Sequence, residues 1–212
     1  MPGQINRNSE LGEIVYSLAT NKQYKNYVEI GTWNGQGSTV CFWDGLSARD
    51  DDWLFFSFES DISFYEQAKV FFGEKANAQF NLVYGRIINT EDMMPLDSPI
   101  VTAHYENHDH QGIYNRFFKY DVKAYQECDN KLKLLDGLNI DVLLLDGGEF
   151  STFAEFEVLK SRTKIIILDD TKELKTKGVH EYLLNNPDWI CKIESDDRNG
   201  FSIHEHKDKK HQ

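Results

Sequence analysis

The stretch that most constrains the fold spans residues 27–39, with the sequence YVEIGTWNGQGST. It starts with β-forming residues apolar enough for a buried strand, and three glycines follow within seven residues. Glycine tolerates positive φ and lets a ligand lie directly against the backbone. Ser38 and Thr39 then offer hydroxyl caps to a helix that begins near Val40. A strand, a glycine-rich turn and a capped helix together predict a nucleotide-type binding site.

The glycine spacing distinguishes this turn from a dinucleotide-binding one. Dinucleotide-binding turns have the pattern G-x-G-x-x-G, whereas this chain has G-x-x-x-G-x-G, with Glu29 two residues before the first glycine. The pattern E-x-G-x-x-x-G-x-S/T resembles the first motif of class I S-adenosylmethionine-dependent methyltransferases. In that family the turn passes beneath the methionine and ribose of the cofactor, and the acid lies near the methionine end. The resemblance implies cofactor contacts from Glu29, Gly31, Thr32, Gly35, Gly37 and Ser38. The alternative is a tight turn of small residues, which any α/β protein can contain.

A second acid follows the next predicted strand. Residues 53–58, WLFFSF, form a short apolar run typical of a buried strand, and Glu59 follows directly. A carboxylate accepts hydrogen bonds from both ribose hydroxyls, so Glu59 and its neighbour Ser60 are predicted to contact the cofactor. In the alternative, Glu59 is an acid at the N-terminus of the following helix. After a third strand, residues 79–84, the family often has an acid or amide that touches adenine, whereas this chain has Arg86.

Two later apolar strands each end in acidic residues. Residues 140–145, IDVLLL, precede Asp146. Residues 164–168, KIIIL, precede Asp169 and Asp170. Because ligands bind at the carboxyl ends of parallel strands, the three carboxylates are predicted to converge. Unpaired, they would repel one another, and a divalent cation such as magnesium, calcium or manganese would relieve the repulsion. In the alternative, Asp170 or the threonine after it caps the next helix.

The same strand ends extend the resemblance. L-L-D-G-G-E-F and I-I-L-D-D-T resemble the fourth and fifth strand ends of metal-dependent O-methyltransferases, such as catechol O-methyltransferase and the macrolide-sugar and antibiotic enzymes. The resemblance implies Asp146, Asp169 and Asp170 as metal ligands, with Asp146 also beside the cofactor and the reacting groups. Glu149 is the nearest candidate for the general base. No basic residue lies within either motif, and Lys172 is the closest in sequence.

The least regular part of the chain is residues 89–111, which include His104, His108 and His110. The segment is predicted to be a loop, either one that closes over the substrate or a plain surface loop. The spacing H-x-x-x-H-x-H leaves a metal site as a further alternative. One of these histidines is also the alternative to Glu149 as the general base.

A long helix and a terminal hairpin complete the predicted fold. Residues 112–135 carry apolar side chains at helical spacing, Phe117 and Tyr120 among them. Residues 189–194 and 200–206 alternate in polarity around an Asn-Gly turn, which is a strong hairpin signal. An antiparallel hairpin after five β-α units is how class I methyltransferases end. The expected fold is therefore α/β, with a Rossmann-like, doubly wound sheet of seven strands that is mostly parallel and has helices on both faces.

The length of 212 residues predicts a single domain. Its predicted parts are an N-terminal helix (9–24), a cofactor-binding half (25–84), a loop and long helix (85–137), a substrate and metal half (138–206) and a tail (207–212).

Composition narrows the expected partners. The net charge of −12 disfavours nucleic acid, because phosphate binding relies on basic patches. No apolar run is long enough to cross a membrane. Three widely spaced cysteines are typical of reduced thiols in a cytoplasmic protein. The expected partner is a small-molecule acceptor, and association as a homodimer is left open.

The function predicted from the sequence is S-adenosylmethionine-dependent methyl transfer to a hydroxyl group of a sugar, a phenol or another small metabolite. Magnesium or another divalent cation is expected to assist, since a bound cation lowers the pKa of a hydroxyl. The alternatives are a metal-independent methyltransferase, a non-catalytic cofactor-binding protein and a nicotinamide-dependent oxidoreductase.

Overall fold

The computed structural model describes residues 5–108 and 111–209, with the backbone alone for residues 105–108 and 111. Strands in this part of the chain form one sheet in the order β3-β2-β1-β4-β5-β7-β6. They are β1 (Asn26–Ile30), β2 (Leu54–Glu59), β3 (Phe80–Tyr84), β4 (Ile140–Leu145), β5 (Thr163–Asp169), β6 (Trp189–Ser195) and β7 (Phe201–His206). The first five pair in parallel, and β7 is antiparallel to both β5 and β6. The predicted fold is confirmed.

Helices cover both faces of this sheet. They are α1 (Glu10–Thr20), α2 (Ser38–Ser47), α3 (Ile62–Phe72), α4 (Pro99–His108), α5 (Gln111–Glu127), α6 (Thr152–Leu159) and α7 (Leu174–Asn185). Successive side chains of a strand point to opposite faces, so the two central strands supply two cores. Val142 and Leu144 pack with α1, α2 and α3, whereas Leu143 and Leu145 pack with α5, α6 and α7. Among the described residues, the structure contains no helix with the length and hydrophobicity needed to span a membrane.

The strand order reverses between β1 and β4, and this reversal positions the candidate site. Ile30 pairs with Leu145 at the carboxyl ends of the two strands. The residues that follow, Gly31 and Asp146, are therefore neighbours, and the amide of Asp146 donates to the Ile30 carbonyl at 2.9 Å. In open parallel sheets the crevice at such a reversal is the usual ligand site.

The structure departs from the sequence prediction between β3 and β4. Residues 89–111 were predicted as a loop, but they contain α4 and a short 3₁₀ turn, Thr90–Asp92. The predicted long helix ends at Glu127 instead of near residue 135. The reason is a backbone link to the end of β3, where Arg86 donates to the carbonyl of Asp129 and accepts from the amide of Lys131. These two hydrogen bonds hold the chain in an extended conformation that a helix cannot adopt.

Candidate functional site

The glycine-rich turn after β1 needs glycine at two positions. Gly31 has a φ of +100°, and a Cβ on it would lie 2.1 Å from the carbonyl oxygen of Asp146. Gly35 has a φ of +82°, and its Cβ would lie 2.7 Å from the ring of Phe72. Side chains at either position would force the turn away from β4 or α3. Gly37 has room for a Cβ and precedes α2 as its N-cap residue.

Glu29 lies behind this turn and is completely buried. It accepts hydrogen bonds from Ser38 Oγ at 2.5 Å, Ser57 Oγ at 2.6 Å and Thr39 Oγ1 at 2.7 Å. The prediction that Ser38 and Thr39 cap α2 is therefore wrong, because their hydroxyl groups donate to the carboxylate instead. Burial raises the pKa of Glu29 to about 7, against the three hydroxyl donors, which lower it. The hydrogen bonds tie the start of α2 to β1 and β2, so Glu29 fixes the shape of the turn.

A cavity of about 700 Å³ opens beside the turn, at the carboxyl ends of β1, β2 and β4. Five of the predicted site residues line it: Gly31, Glu59, Ser60, Asp146 and Glu149. The remaining predicted cofactor residues are outside its lining: Glu29, Thr32, Gly35, Gly37 and Ser38. Those five support the turn from behind or continue it into α2, and their direct contact with a cofactor stays a prediction.

Glu59 is held at the cavity wall by two backbone donors. The amide of Trp33 donates to Oε2 at 2.7 Å, and the amide of Asp61 donates to Oε1 at 2.8 Å. The cap of α3 is Asp61, whose carboxylate accepts from the amides of Ser63 and Phe64. Glu59 is thus an acid beside the N-terminus of α3, as in the alternative interpretation, and it also lines the cavity. Burial raises its pKa to about 7.

The three acids at the ends of β4 and β5 converge as predicted. One carboxylate oxygen from each of Asp146, Asp169 and Asp170 lies within 4.8 Å of the other two. Asp170 adopts a φ of 58°, a left-handed conformation that is uncommon for a side-chain-bearing residue. Its carboxylate does not cap α7, because both oxygens accept from side chains. Asn199 Nδ2 donates to Oδ1 at 3.1 Å, and Lys175 Nζ donates to Oδ2.

Two cations of the chain itself neutralise the acid cluster, which the sequence did not reveal. Lys175 Nζ lies 2.5 Å from Asp146 Oδ1 and 2.7 Å from Asp170 Oδ2. Arg198 Nη2 lies 3.0 Å from Asp169 Oδ2. Lys172, the basic residue closest in sequence, instead pairs with Asp196 at the surface. Lys175 comes from the first turn of α7 and Arg198 from the β6–β7 turn, so neither belongs to the acidic motifs.

The pKa values of the cluster follow from burial and charge. Burial raises the pKa of Asp146, and burial together with the charges of Asp146 and Asp170 raises that of Asp169 to about 7. Although burial opposes it, the charge of Lys175 lowers the pKa of Asp170. Burial would also lower the pKa of Lys175, but the two aspartates outweigh it and the pKa is raised. Lys175 is therefore a persistent ammonium group.

Further carboxyl groups line the cavity beside the loop that follows β4. Glu149 Oε2 accepts from the amide of Lys175 at 3.0 Å, and burial raises the pKa of Glu149 to about 7. Asp121 accepts from the amide of Phe150 at 3.1 Å, and burial raises its pKa to about 6. A neutral or weakly acidic carboxyl group near pH 7 is suited to proton transfer. Asp121 carried a sequence signal, because it interrupts the apolar stripe of α5.

Aromatic and basic side chains close the cavity on its outer side. Phe117 and Tyr120 belong to the apolar pattern that predicted the long helix, but they are 41% and 47% exposed and line the cavity. Tyr120 Oη donates to Asp61 Oδ2 at 2.6 Å, which joins α5 to α3 across the opening. Arg86 also lines the cavity, where the family often has an acid or amide, and its guanidinium donates to the carbonyl of Cys128.

The histidines of the irregular segment do not converge on the cavity in the described part of the chain. His104 is 3% exposed, and its Nε2 lies 2.7 Å from Tyr114 Oη in a small core beneath α4. It does not line the cavity. The side chain of His108 and all of His110 lie outside the described residues.

The same fold occurs in known methyltransferase structures, although no protein-family model and no curated protein sequence matches the chain. An O-methyltransferase from Bacillus cereus in complex with S-adenosylhomocysteine is 13% identical, with a TM-score of 0.61 over 98% of this chain and 84% of that one. A methyltransferase from Podospora anserina, also bound to S-adenosylhomocysteine, is 14% identical, with a TM-score of 0.61 over 93% of this chain and 78% of that one. A third structure is that of an O-methyltransferase from Streptomyces achromogenes, which is involved in tomaymycin synthesis and was solved with S-adenosylmethionine. It is 16% identical, with a TM-score of 0.53 over 92% of this chain and 79% of that one. At such identities the likeness establishes the fold, and the predicted resemblance to class I methyltransferases is confirmed at that level.

Proposed function

We propose that this protein is an S-adenosylmethionine-dependent methyltransferase that methylates a hydroxyl group of a small acceptor. The observation that carries the proposal is the cavity at the reversal of strand order, where the turn at Gly31 and the carboxyl group of Glu59 face the same space. A turn closed by backbone contacts and an acid after the second strand suit the methionine and ribose parts of this cofactor.

The main task of the protein in this reaction is to position the acceptor and the cofactor. The sulfonium of the cofactor is already activated, so the reaction is a single displacement in which the acceptor oxygen bonds to the methyl carbon as the carbon–sulfur bond breaks. Alignment of the reacting atoms supplies much of the acceleration. The acceptor must also lose its proton, and Glu149, at the cavity wall with a pKa of about 7, is the candidate base.

A divalent cation does not fit the acid cluster as it stands. Magnesium and calcium bind oxygen ligands at about 2.0–2.6 Å, and the ammonium of Lys175 is already 2.5 Å from Asp146 and 2.7 Å from Asp170. Metal-assisted transfer, which the sequence favoured, would need Lys175 to leave these oxygens. The reaction proposed here therefore uses only the residues of the chain and the cofactor.

Cofactor binding tests this proposal directly. Isothermal titration with S-adenosylhomocysteine should show one site on the wild type, and Glu59→Gln should weaken it by about 1–3 kcal/mol through the loss of charge-assisted hydrogen bonds. Glu66→Gln is the matched control, because Glu66 lies on the exposed side of α3. Equal affinity in wild type and Glu59→Gln would contradict the placement of the ribose.

Methyl transfer needs its own measurement. Release of S-adenosylhomocysteine from S-adenosylmethionine, followed over a panel of phenols, sugars and other hydroxylated metabolites, should depend on the acceptor. Tight cofactor binding without turnover over a broad panel would instead support a non-catalytic cofactor-binding protein.

A further inference from the structure

We propose that Lys175 and Arg198 replace the divalent cation at the acid cluster of Asp146, Asp169 and Asp170, so that this chain binds no metal ion there. Whether the cluster binds a metal ion can be tested without the cofactor. Only the consequence for proton removal from the acceptor rests on the function proposed above.

Lys175 is fixed at the centre of the cluster, unlike a surface lysine. Its Nζ contacts Asp146 and Asp170 at 2.5 and 2.7 Å, and a tenth of its side-chain surface is exposed. Its backbone amide donates to Glu149 at 3.0 Å. The next residue, Thr176, donates its hydroxyl to the carbonyl of Asp169 at 2.6 Å. The start of α7 is thus attached to the ends of β4 and β5, with the lysine side chain directed between them.

The second cation is held in a similar way. Arg198 lies in the turn between β6 and β7 and reaches Asp169 at 3.0 Å. The same turn is joined to the end of β5 through the amide of Lys172, which donates to the carbonyl of Asn199 at 3.0 Å, and through Asn199 Nδ2, which donates to Asp170. The hairpin that completes the sheet therefore also delivers a positive charge to the cluster.

Charge balance leaves little attraction for an added ion. Lys175 and Arg198 together carry the charge of one divalent cation, so the three carboxylates are neutralised to the same extent as in a metal site. A metal ion at bonding distance from Asp146 and Asp170 would occupy the position of the lysine Nζ. It would have to break a buried ion pair, which would leave the ammonium group of Lys175 without its partners in a buried position.

The replacement changes how an acceptor loses its proton. Without a metal ion, the acidity of the hydroxyl is not increased by coordination, and a side-chain base must accept the proton as the methyl group is transferred. Glu149 is placed for that role, since its carboxylate contacts the backbone of Lys175 beside the cluster and lines the cavity. Sulfur leaves as the neutral thioether of the product, and the proton ends on the carboxylate.

Manganese binding separates the replacement from a true metal site. In a titration followed by the electron paramagnetic resonance signal of free Mn²⁺, the wild type should take up no stoichiometric ion. Lys175→Met keeps an unbranched side chain one atom shorter than lysine, removes its charge and leaves three converging carboxylates. This variant should bind one Mn²⁺ per chain at least about ten-fold more tightly than the wild type. Lys172→Met is the control, because Lys172 pairs with Asp196 at the surface, and it should behave as the wild type.

Two results would overturn the inference. One is a wild type that binds a single Mn²⁺ tightly and loses it in Asp170→Asn, and this result decides the matter even where Lys175→Met fails to fold. The other is a folded Lys175→Met that binds no more Mn²⁺ than Lys172→Met. Titration of the same wild-type sample with S-adenosylhomocysteine reports separately on the proposed function, so the two can fail independently.

Discussion

At the scale of single residues, the cavity is marked by buried carboxyl groups whose pKa values are raised. Glu155 on α6 is completely buried, lines the cavity and receives a hydrogen bond from Tyr125 Oη. Burial raises its pKa to about 7. A carboxyl group with a raised pKa in the folded state binds its proton more tightly there than in the unfolded chain. Its contribution to stability is therefore complete below about pH 4.5 and is lost as the pH rises through about 7.

Replacing Glu155 should change the dependence of stability on pH. Glu155→Gln keeps the shape of the side chain and removes the titrating group. Between pH 6 and 8 the wild type should lose more unfolding free energy than the variant, by at most about 1.4 kcal/mol per pH unit. Urea denaturation across this range measures the difference. Identical slopes would mean that Glu155 does not titrate there.

The sequence predicted which acids meet, but not what neutralises them. The sequence predicts that Asp146, Asp169 and Asp170 converge, because the carboxyl ends of adjacent parallel strands lie at the same end of the sheet. Lys175 and Arg198 reach the same point from a helix and from a hairpin turn. The direction of a long side chain depends on the packing of its element, which spacing in the sequence does not determine.

At the scale of elements, α5 packs closely against the loop after β4. A Cβ on Gly148 would lie 2.6 to 2.9 Å from the carboxyl atoms of Asp121. The absence of a side chain there lets Asp121 reach the amide of Phe150 and hold the helix to the loop. This contact sets the width of the cavity between α5 and the end of β4.

Gly148→Ala should therefore destabilise the protein by roughly 1–3 kcal/mol, through overpacking of this contact. Gly112→Ala is the matched control, because nothing lies within 4 Å of its Cβ position in the first turn of α5. The control should be neutral or slightly stabilising, since alanine favours a helix. Thermal unfolding of the two variants compares them, and equal midpoints would show that the contact is loose.

Element prediction succeeded where burial is continuous and failed where it is sparse. The strands β4 and β5 are buried along their whole length, and both are apolar runs in the sequence. In α4, the buried side chains described are those of Val101 and His104, too few to give a helical pattern. The early end of α5 depends on the link between Arg86 and residues 129–131, which are distant in sequence.

At the scale of the whole molecule, the sheet brings every candidate functional group to one edge. Gly31 and Asp146 directly follow β1 and β4, whereas Glu59 and Asp169 are the last residues of β2 and β5. A second cleft, of about 390 Å³, lies at the opposite edge near Lys25, Asp141 and Lys209. The two edges differ in chemistry, because the glycine turn and the converging acids occur at the first edge.

Hydrogen exchange with and without S-adenosylhomocysteine distinguishes the two edges in one experiment on the unmodified protein. Peptides covering residues 31–33, 59–60 and 146–149 should become protected when the ligand binds, because these backbones line the proposed cofactor cavity. The amides near Lys25 and Asp141 should exchange at unchanged rates. Protection confined to the opposite cleft, or no protection at residues 31–33 and 59–60 at saturating ligand, would contradict a cofactor site at the glycine turn.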